Sequence, residues 1–464
     1  MASTPGPKAT RPALKWLIVA CVFSQFIHTV YGSVVNIALP EISSQLHAGI
    51  ASLQWVVSAY VLALASLLIF AGTLADRFGR KRVLIIGNLI MIGGAVISAL
   101  APSVMILTLG RFTQGIGSAL MAPAGLSILS VAAPNSNRRA LEVVWWTAVG
   151  TVTLAAGPIL GGLLMQQFGW RSLFWAGIPL GLVAIALASF IVTESKDPEP
   201  QPFDLAGLVL LTLFLAGLAF LMFEGATLGW TSAPVLAAGA VVVIVAVTFH
   251  PVEKDHPAPV VPTRLLKNAQ FTKALATAVL GFLTLAGLLF LNTFYLQSAR
   301  GLSAWVAGLM TLPLALGATG TALISGRLVV EGKSRLILRA AGVLTLVGAL
   351  SLWATQGLSV WWTVLPYLLF GAGFGFIADP ISVTALESLP AEEASLASSF
   401  ISTSKQVGQM LGVGGVGLLL GAHGSHAQLF HQHGWWAWLL LAAGGLGIFL
   451  LNWEGRPAQP QGAR

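Results

Sequence analysis

Long apolar runs, broken by short clusters of charge, proline or glycine, recur along the whole chain. They lie near 14–36, 52–74, 83–101, 104–129, 141–166, 170–193, 205–223 and 233–250, and then near 272–297, 303–326, 336–355, 361–384, 395–420 and 435–452. Each run approaches the ~20 residues that a helix rising ~1.5 Å per residue needs to cross ~30 Å of hydrocarbon. Lipid admits only helices and closed barrels, and a barrel would show alternating segments of ~10 residues. The pattern therefore predicts an all-α polytopic membrane protein with fourteen transmembrane helices, called spans 1 to 14 in chain order.

Composition narrows the function classes. Of 464 residues, 56% are hydrophobic and 9% charged, and the mean hydropathy is +0.85. That supply of polar side chains cannot cover a water-soluble globule of this size, which excludes a soluble enzyme. Cys21 is the single cysteine, so no intramolecular disulfide framework or multi-cysteine metal site is expected. His423, His426, His431 and His433 cluster between spans 13 and 14, but their spacing fits no tight metal template, and the segment reads as a solvated loop. No Gly-x4-Gly-Lys-Ser/Thr loop occurs, so neither ATP nor any other cofactor is expected as the energy source.

The net charge of +8 raises nucleic acid as a partner, and the placement of the basic residues answers it. Lys8, Arg11 and Lys15 precede span 1; Arg77, Arg80, Lys81 and Arg82 follow span 2; Arg138 and Arg139 follow span 4. Lys254, Arg264, Lys267 and Lys273 surround the 8–9 connection, Arg327, Lys333, Arg335 and Arg339 flank the 10–11 turn, and Arg456 and Arg464 end the chain. The opposite loops hold only Arg171 and Arg300. By the positive-inside rule both termini are cytoplasmic, and the basic excess is a topology signal without a nucleic-acid role. Span 1 is not a secretory signal, because Gln25 and His28 interrupt it and no clean small-residue cleavage site follows.

The 2–3 turn, Gly72 to Arg82, and the 10–11 turn, Gly326 to Arg335, are weak copies of one acidic–basic, glycine-bearing pattern. Such a repeat predicts two six-helix bundles, residues 1–195 and 263–464, with a linker and two inserted helices over 196–262. Thr193–Pro202 and His250–Pro262, rich in proline and charge, read as linker segments.

The chain resembles the major facilitator superfamily, and within it the fourteen-span drug:H⁺ antiporters of the EmrB/QacA type. The resemblance rests on Gly72–Arg82, on Arg111 with Gln114, Gly115 and Gly117 in span 4, and on Gly157-Pro158 with Gly161 and Gly162 in span 5. Val35-Asn36 with Leu39-Pro40, Trp170-Arg171 with Pro179, and Phe203-Asp204 with Gly207 add to it. It implies export of a small hydrophobic compound by proton antiport and alternating access in a bacterial inner membrane. It also implies that Gly72, Asp76, Arg77, Gly79 and Arg80 form a conformational latch, that the span-5 glycine–proline block marks an exchanger, and that Arg111 and Gln114 belong to the coupling or substrate machinery. A plain topology turn and ordinary small-residue packing are the alternatives for the first two.

The family pattern carries an aspartate in span 1 where this chain has Tyr31. The nearest titratable group is His28, about one turn earlier on the same face and, by residue count, ~21 Å from the inner end, near the depth of Arg111. His28 is thus a candidate for proton coupling, against a histidine merely hydrogen-bonded within the bundle. Asp379, before Pro380 in span 12, is a second candidate, against a helix-capping role. Gln25, Asn292, Tyr295 and Gln297 are candidates for lining a loosely specific pocket. Few acids lie in the spans, so the expected substrate is neutral or carries one positive charge. The expected partners are the bilayer, protons and that substrate, with a monomer as the working state. A dedicated metabolite exporter, a proton-independent facilitator and a non-transporting scaffold or sensor are the rival readings.

Overall fold

The computed structural model describes residues 11–132, 153, 156–197, 202–254, 256, 259, 264–389, 394–421 and 426–453. Lys8, Arg138, Arg139, Gly150, His423, Arg456 and Arg464 lie outside the described residues, as do the side chains of Arg11, Lys15, His426, His431 and His433.

Among the described residues, twelve helical segments are long and apolar enough to cross a bilayer. They are Trp16–Leu46, Ile50–Phe78, Arg80–Ala99 and Val104–Leu129 at spans 1 to 4, and Arg171–Ile191, Leu205–Leu228 and Ala233–Glu253 at spans 6 to 8. Ala269–Ala299, Ala304–Val330, Ser334–Ala354 and Val360–Glu387 follow at spans 9 to 12, and Gly434–Trp453 at span 14. Helix 156–168 falls on span 5, and the 27-residue helix Ala394–Leu420 on span 13. Among the described residues every apolar run thus holds a helix, and large side chains such as Phe190, Leu323 and Val247 project from the bundle as a lipid-facing surface.

Inward faces rely on small residues, because helices in lipid gain little from burying apolar area and must instead approach closely. Spans 3 and 4 show this: a Cβ on Gly117 would stand 2.6 Å from the carbonyl oxygen of Gly87. Span 4 packs on spans 2 and 3, and span 3 on span 6. In the second half span 9 packs on spans 13 and 14, span 10 on span 12, and span 11 on spans 12 and 14. Spans 7 and 8 pack on each other, and span 7 also touches spans 2 and 13.

Among the described residues four spans depart from regular α-helix; span 10 does so at Thr311, between Ala304–Met310 and Leu312–Val330. Span 1 tightens to a 3-10 segment at Val34–Ala38 before resuming at Leu39. Span 9 ends in a π segment, Phe294–Ala299. Span 12 stops at Gly375 and restarts at Ala378. Pro380, early in the restarted helix, has no N–H to donate, and the first turn is where that loss costs least. Irregular backbone at membrane depth is tolerated where it borders protein or a cavity, and all four stretches supply residues that line one: Asn36, Gln297, Thr311 and Ala378.

Inner denotes the face that carries the 2–3 and 10–11 turns, and outer the opposite face. Hydrogen bonds between the first six and last six spans gather towards the outer side. Gln54 Nε2 donates to the carbonyls of Val413 (3.0 Å) and Gly414 (3.1 Å), and Gln297 Nε2 to that of Ile37 (2.8 Å).

Candidate functional site: a central cavity between the two halves

A cavity of about 370 Å³ lies where the two halves meet. Spans 1 and 2 supply Gln25, His28, Thr29, Ser33, Asn36 and Tyr60; spans 9, 10, 12 and 13 supply Phe282, Ala318, Phe374, Asp379, Lys405, Gln406 and Gln409. It is mostly apolar, with a few converging polar groups, the usual character of a small-molecule site.

On the first half, His28 and Arg111 are brought together through a residue that sequence reasoning passed over. The Tyr60 hydroxyl lies 3.0 Å from His28 Nδ1, 2.7 Å from the His28 carbonyl and 2.5 Å from Ser118 Oγ. A phenol has one proton to give, so donation to the carbonyl leaves its oxygen to accept from Ser118 or from a protonated Nδ1. Behind Tyr60 lies Arg111, fully buried, its guanidinium 4.6 Å from the ring centroid. Arg111 Nε donates to the Val56 carbonyl (3.2 Å) and Nη1 to Gln114 Oε1 (2.8 Å), while Nη2 has no protein partner. Only His28 and Tyr60 of this series border the cavity.

Tyr31, at the position of the family aspartate, faces elsewhere. Its hydroxyl donates to the carbonyls of Leu173 (3.3 Å) and Phe174 (3.2 Å) in span 6, where Gly177 leaves it room. Of the four pocket candidates, Gln25 borders the main cavity, and its Oε1 is buried with no protein partner. Asn292 and Gln297 line a smaller adjoining void, Asn292 accepting from the Tyr367 hydroxyl. Tyr295 is buried against Trp438 and accepts from Arg300 Nη2 (3.0 Å).

The second half contributes the cavity's full charges. Asp379 sits in the first turn of the restarted inner helix of span 12, past its N-cap position at Ile377, and borders the cavity. Lys405, in span 13, also lines the cavity, with Nζ 5.6 Å from the Phe282 ring centroid. Gln409 Nε2 donates to Gln406 Oε1 (3.1 Å) beside it. Counting intramembrane acids alone had overlooked Lys405; its place eleven residues past Ala394 in a 27-residue helix was the available signal. For Tyr60 the signal was scarcity, since the chain has four tyrosines and all four are buried.

A profile described as Major Facilitator Superfamily matches residues 21–413. The chain belongs to that superfamily. It is a multi-span membrane transporter and not an enzyme. Among its relatives, the Multidrug resistance protein Stp of Mycobacterium tuberculosis is 32% identical over 389 residues, covering 84% of this chain and 72% of that protein. The Tetracenomycin C resistance and export protein of Streptomyces glaucescens is 33% identical over 398 residues, with 84% and 72% covered. In fold the chain is similar to an auto-inhibited POT family peptide transporter, with a TM-score of 0.68 at 17% identity over 98% of this chain and 99% of that one. The POT family transporter PepTSo is similar too, with a TM-score of 0.64 at 19% identity, covering 96% and 99%.

Two further stretches of this superfamily member are the 2–3 turn and the span-5 glycine–proline block. In the 2–3 turn, Arg80 Nη2 pairs with Asp76 Oδ1 (2.8 Å), Arg77 stands 4.9 Å from the Phe203 ring centroid, and Gly72 leaves span 4 room at Pro123. The segment after span 6 clasps this turn: Arg80 N donates to the Ser195 carbonyl (2.9 Å), Asp197 N to the Asp76 carbonyl (2.8 Å), and Lys81 N and Arg82 N to the Glu194 carboxylate (3.1 and 3.3 Å). Gly79 makes the turn at φ +110°, where an added Cβ would also meet the Glu194 carboxylate at 2.6 Å. Gly79→Ala is accordingly expected to destabilise the protein by about 1–3 kcal/mol, read as a lower thermal midpoint in detergent. In span 5, Gly157 faces Ser33 and Gly161 faces Val34 and Ile37 of the broken end of span 1. Gly162 rests on Ala304 and Trp305 of span 10, and Gly308 rests on the Pro158 carbonyl. The glycine–proline block is therefore part of the outer contact between halves.

Proposed function

We propose that this transporter exports a small hydrophobic compound from a bacterial cell in exchange for protons, its two halves rocking around the central cavity with both termini in the cytoplasm. The observation that carries this reading is the cavity itself, where His28 of the first half and Asp379 of the second border one space within the candidate membrane spans. Ionisable side chains are costly at that depth and are kept where they work. The names of the relatives, multidrug resistance and antibiotic export, support the substrate class. The fourteen predicted spans and the glycine–proline block support a place in the EmrB/QacA-like branch, and a proton gradient then suffices without any cofactor.

The departure at Tyr31 is the reason to keep a second reading, a proton-independent facilitator. Its hydroxyl is committed to span 6 and supplies the cavity with no carboxylate. Proteoliposomes holding a trapped pH dye separate the two. Under antiport, an imposed pH gradient drives uptake or release of lipophilic compounds against their own gradient. Asp379→Asn is expected to reduce that movement at least tenfold, and His28→Ala to alter its pH dependence. Labelled compound that merely equilibrates, with no proton flux in the wild type, would establish the facilitator instead.

A further inference from the structure

The charges that border the central cavity are unequally shared between the halves. Asp379 and Lys405 both stand on the second half, whereas the first presents His28 and Tyr60, with Arg111 set behind Tyr60 and away from the cavity surface. Asp379 and Lys405, opposite in charge, line the same cavity. Among the described residues no contact ion pair joins them and no protein oxygen accepts from Lys405, whose Nζ stands over the face of Phe282. The carboxylate stands in the first turn of its helix, past the N-cap position at Ile377, and borders the cavity. Two opposite charges that balance without locking leave a carboxylate whose counter-ion can be exchanged.

We propose that Lys405 carries the exchanged proton, and that a monocationic substrate takes its place as the counter-ion of Asp379. The proposal rests on the antiport reading above and deepens it. Lys405 has the required chemistry: a compact ammonium on a flexible stem, able to give up its proton, which a guanidinium cannot do. Asp379 and the Phe282 face, which border the cavity beside the lysine, also suit an organic cation, because aromatic faces attract cations as carboxylates do. When such a cation settles between them, like charges stand together beside one carboxylate, and that disfavours the ammonium form of Lys405.

The step balances. On the inner side, the substrate cation enters, the N–H bond of Lys405 breaks, the electron pair stays on Nζ, and the proton leaves through water to the cytoplasm. Asp379 remains a carboxylate throughout. On the outer side, a proton rebinds Nζ and the restored ammonium displaces the substrate. One proton enters for each monocation that leaves, so no net charge crosses the membrane. The other groups facing Lys405 do not supply this exchange: Gln406 and Gln409 do not titrate in this range, and His28 and Tyr60 lie across the cavity hydrogen-bonded to each other.

The test uses tetraphenylphosphonium and ethidium with the purified full chain in weak buffer containing a pH indicator, and then in proteoliposomes. Wild type should release one proton per bound cation, and exchange should be unaffected by a potassium diffusion potential set with valinomycin. Lys405→Arg keeps the positive charge and so keeps Asp379 ionised, but offers no proton. It should bind either cation at least tenfold more weakly and release none. Proton release from Lys405→Arg equal to wild type would move the carrier to Asp379 or His28 and overturn the proposal while leaving antiport intact. If Lys405→Arg does not fold, the wild-type readings decide, since two protons per cation or acceleration by the potential would overturn it equally. Failure of both cations to bind wild type overturns the monocation assignment. Binding without any proton movement in wild type overturns the antiport reading itself.

Discussion

Gly162→Leu is expected to abolish transport while leaving the protein folded and open towards the outside. A Cβ at this position would stand 2.6 Å from the carbonyl oxygen of Ala304 and 3.0 Å from the Cα of Trp305, and both are backbone atoms that cannot rotate aside. Leucine adds three further carbons to a gap that does not admit the first. The contact joins span 5 of one half to span 10 of the other, so the clash falls on the outer-closed arrangement and not on the packing within either half. Overpacking of this kind costs about 1–3 kcal/mol or more, and each ~1.4 kcal/mol changes the balance between two states tenfold. The closed population should therefore fall by roughly 100-fold at the upper end of that range. Labelling with a membrane-impermeant maleimide makes the shift visible. Cys21, the single native cysteine, is fully buried, so a cysteine introduced at Asn36, on the cavity wall, can be followed against a low background. Faster labelling of Asn36→Cys from outside in the Gly162→Leu background is the expected result; unchanged labelling with unchanged transport would refute it.

Arg111→Met should stabilise the protein and disable it. The guanidinium is fully buried, one of its nitrogens lacks a partner, and no carboxylate pairs with it. A charge so placed is carried at a cost, and replacing buried ionic groups with apolar ones of similar volume is often worth about 1–4 kcal/mol in stability. Methionine fills much of the same space with a flexible chain. Losing the cation over the Tyr60 ring frees the phenol that holds His28, and misplacement of a working group by about 1 Å can cost 10²-fold in rate. A higher thermal midpoint together with roughly 100-fold slower transport is the expected pair of readings. Arg111→Lys should also fail in transport, because an ammonium cannot keep the bonds to Val56 and Gln114 in the same planar geometry. A destabilised Arg111→Met protein would show instead that the arginine holds the fold.

The helical layout was legible because bilayer thickness imposes one length on every span, and charge and proline mark the ends. Counting at a fixed rise sets His28 near the depth of Arg111, and in the structure Tyr60 stands between the two side chains. Direction around the helix axis was less legible. Tyr31 lies within a turn of His28 yet points into span 6, because Gly177 opens a niche there that only the folded neighbour reveals. Asn292, Tyr295 and Gln297 were chosen on chemistry along span 9, and the π segment at its end turns the last two away from the main cavity. Tyr60 resembled ordinary core within an apolar helix, and Lys405 was hidden by the serine-rich opening of span 13, which reads as the edge of the membrane and not its middle.

Span 7, by contrast, touches both halves. Glu224 accepts from the Trp55 indole of span 2 (3.0 Å), Phe223 stands edge-on to the same ring, and Met222 and Phe223 close over Gly414 of span 13. Under the proposed rocking of the two halves, one of these seams would part and re-form in each cycle, whichever half span 7 travels with. Met222 and Phe223 would then be uncovered, and lipid tails are what would fill the space. Chain order and lateral pressure would thereby enter the energy of reorientation, with the membrane a reactant as well as a solvent.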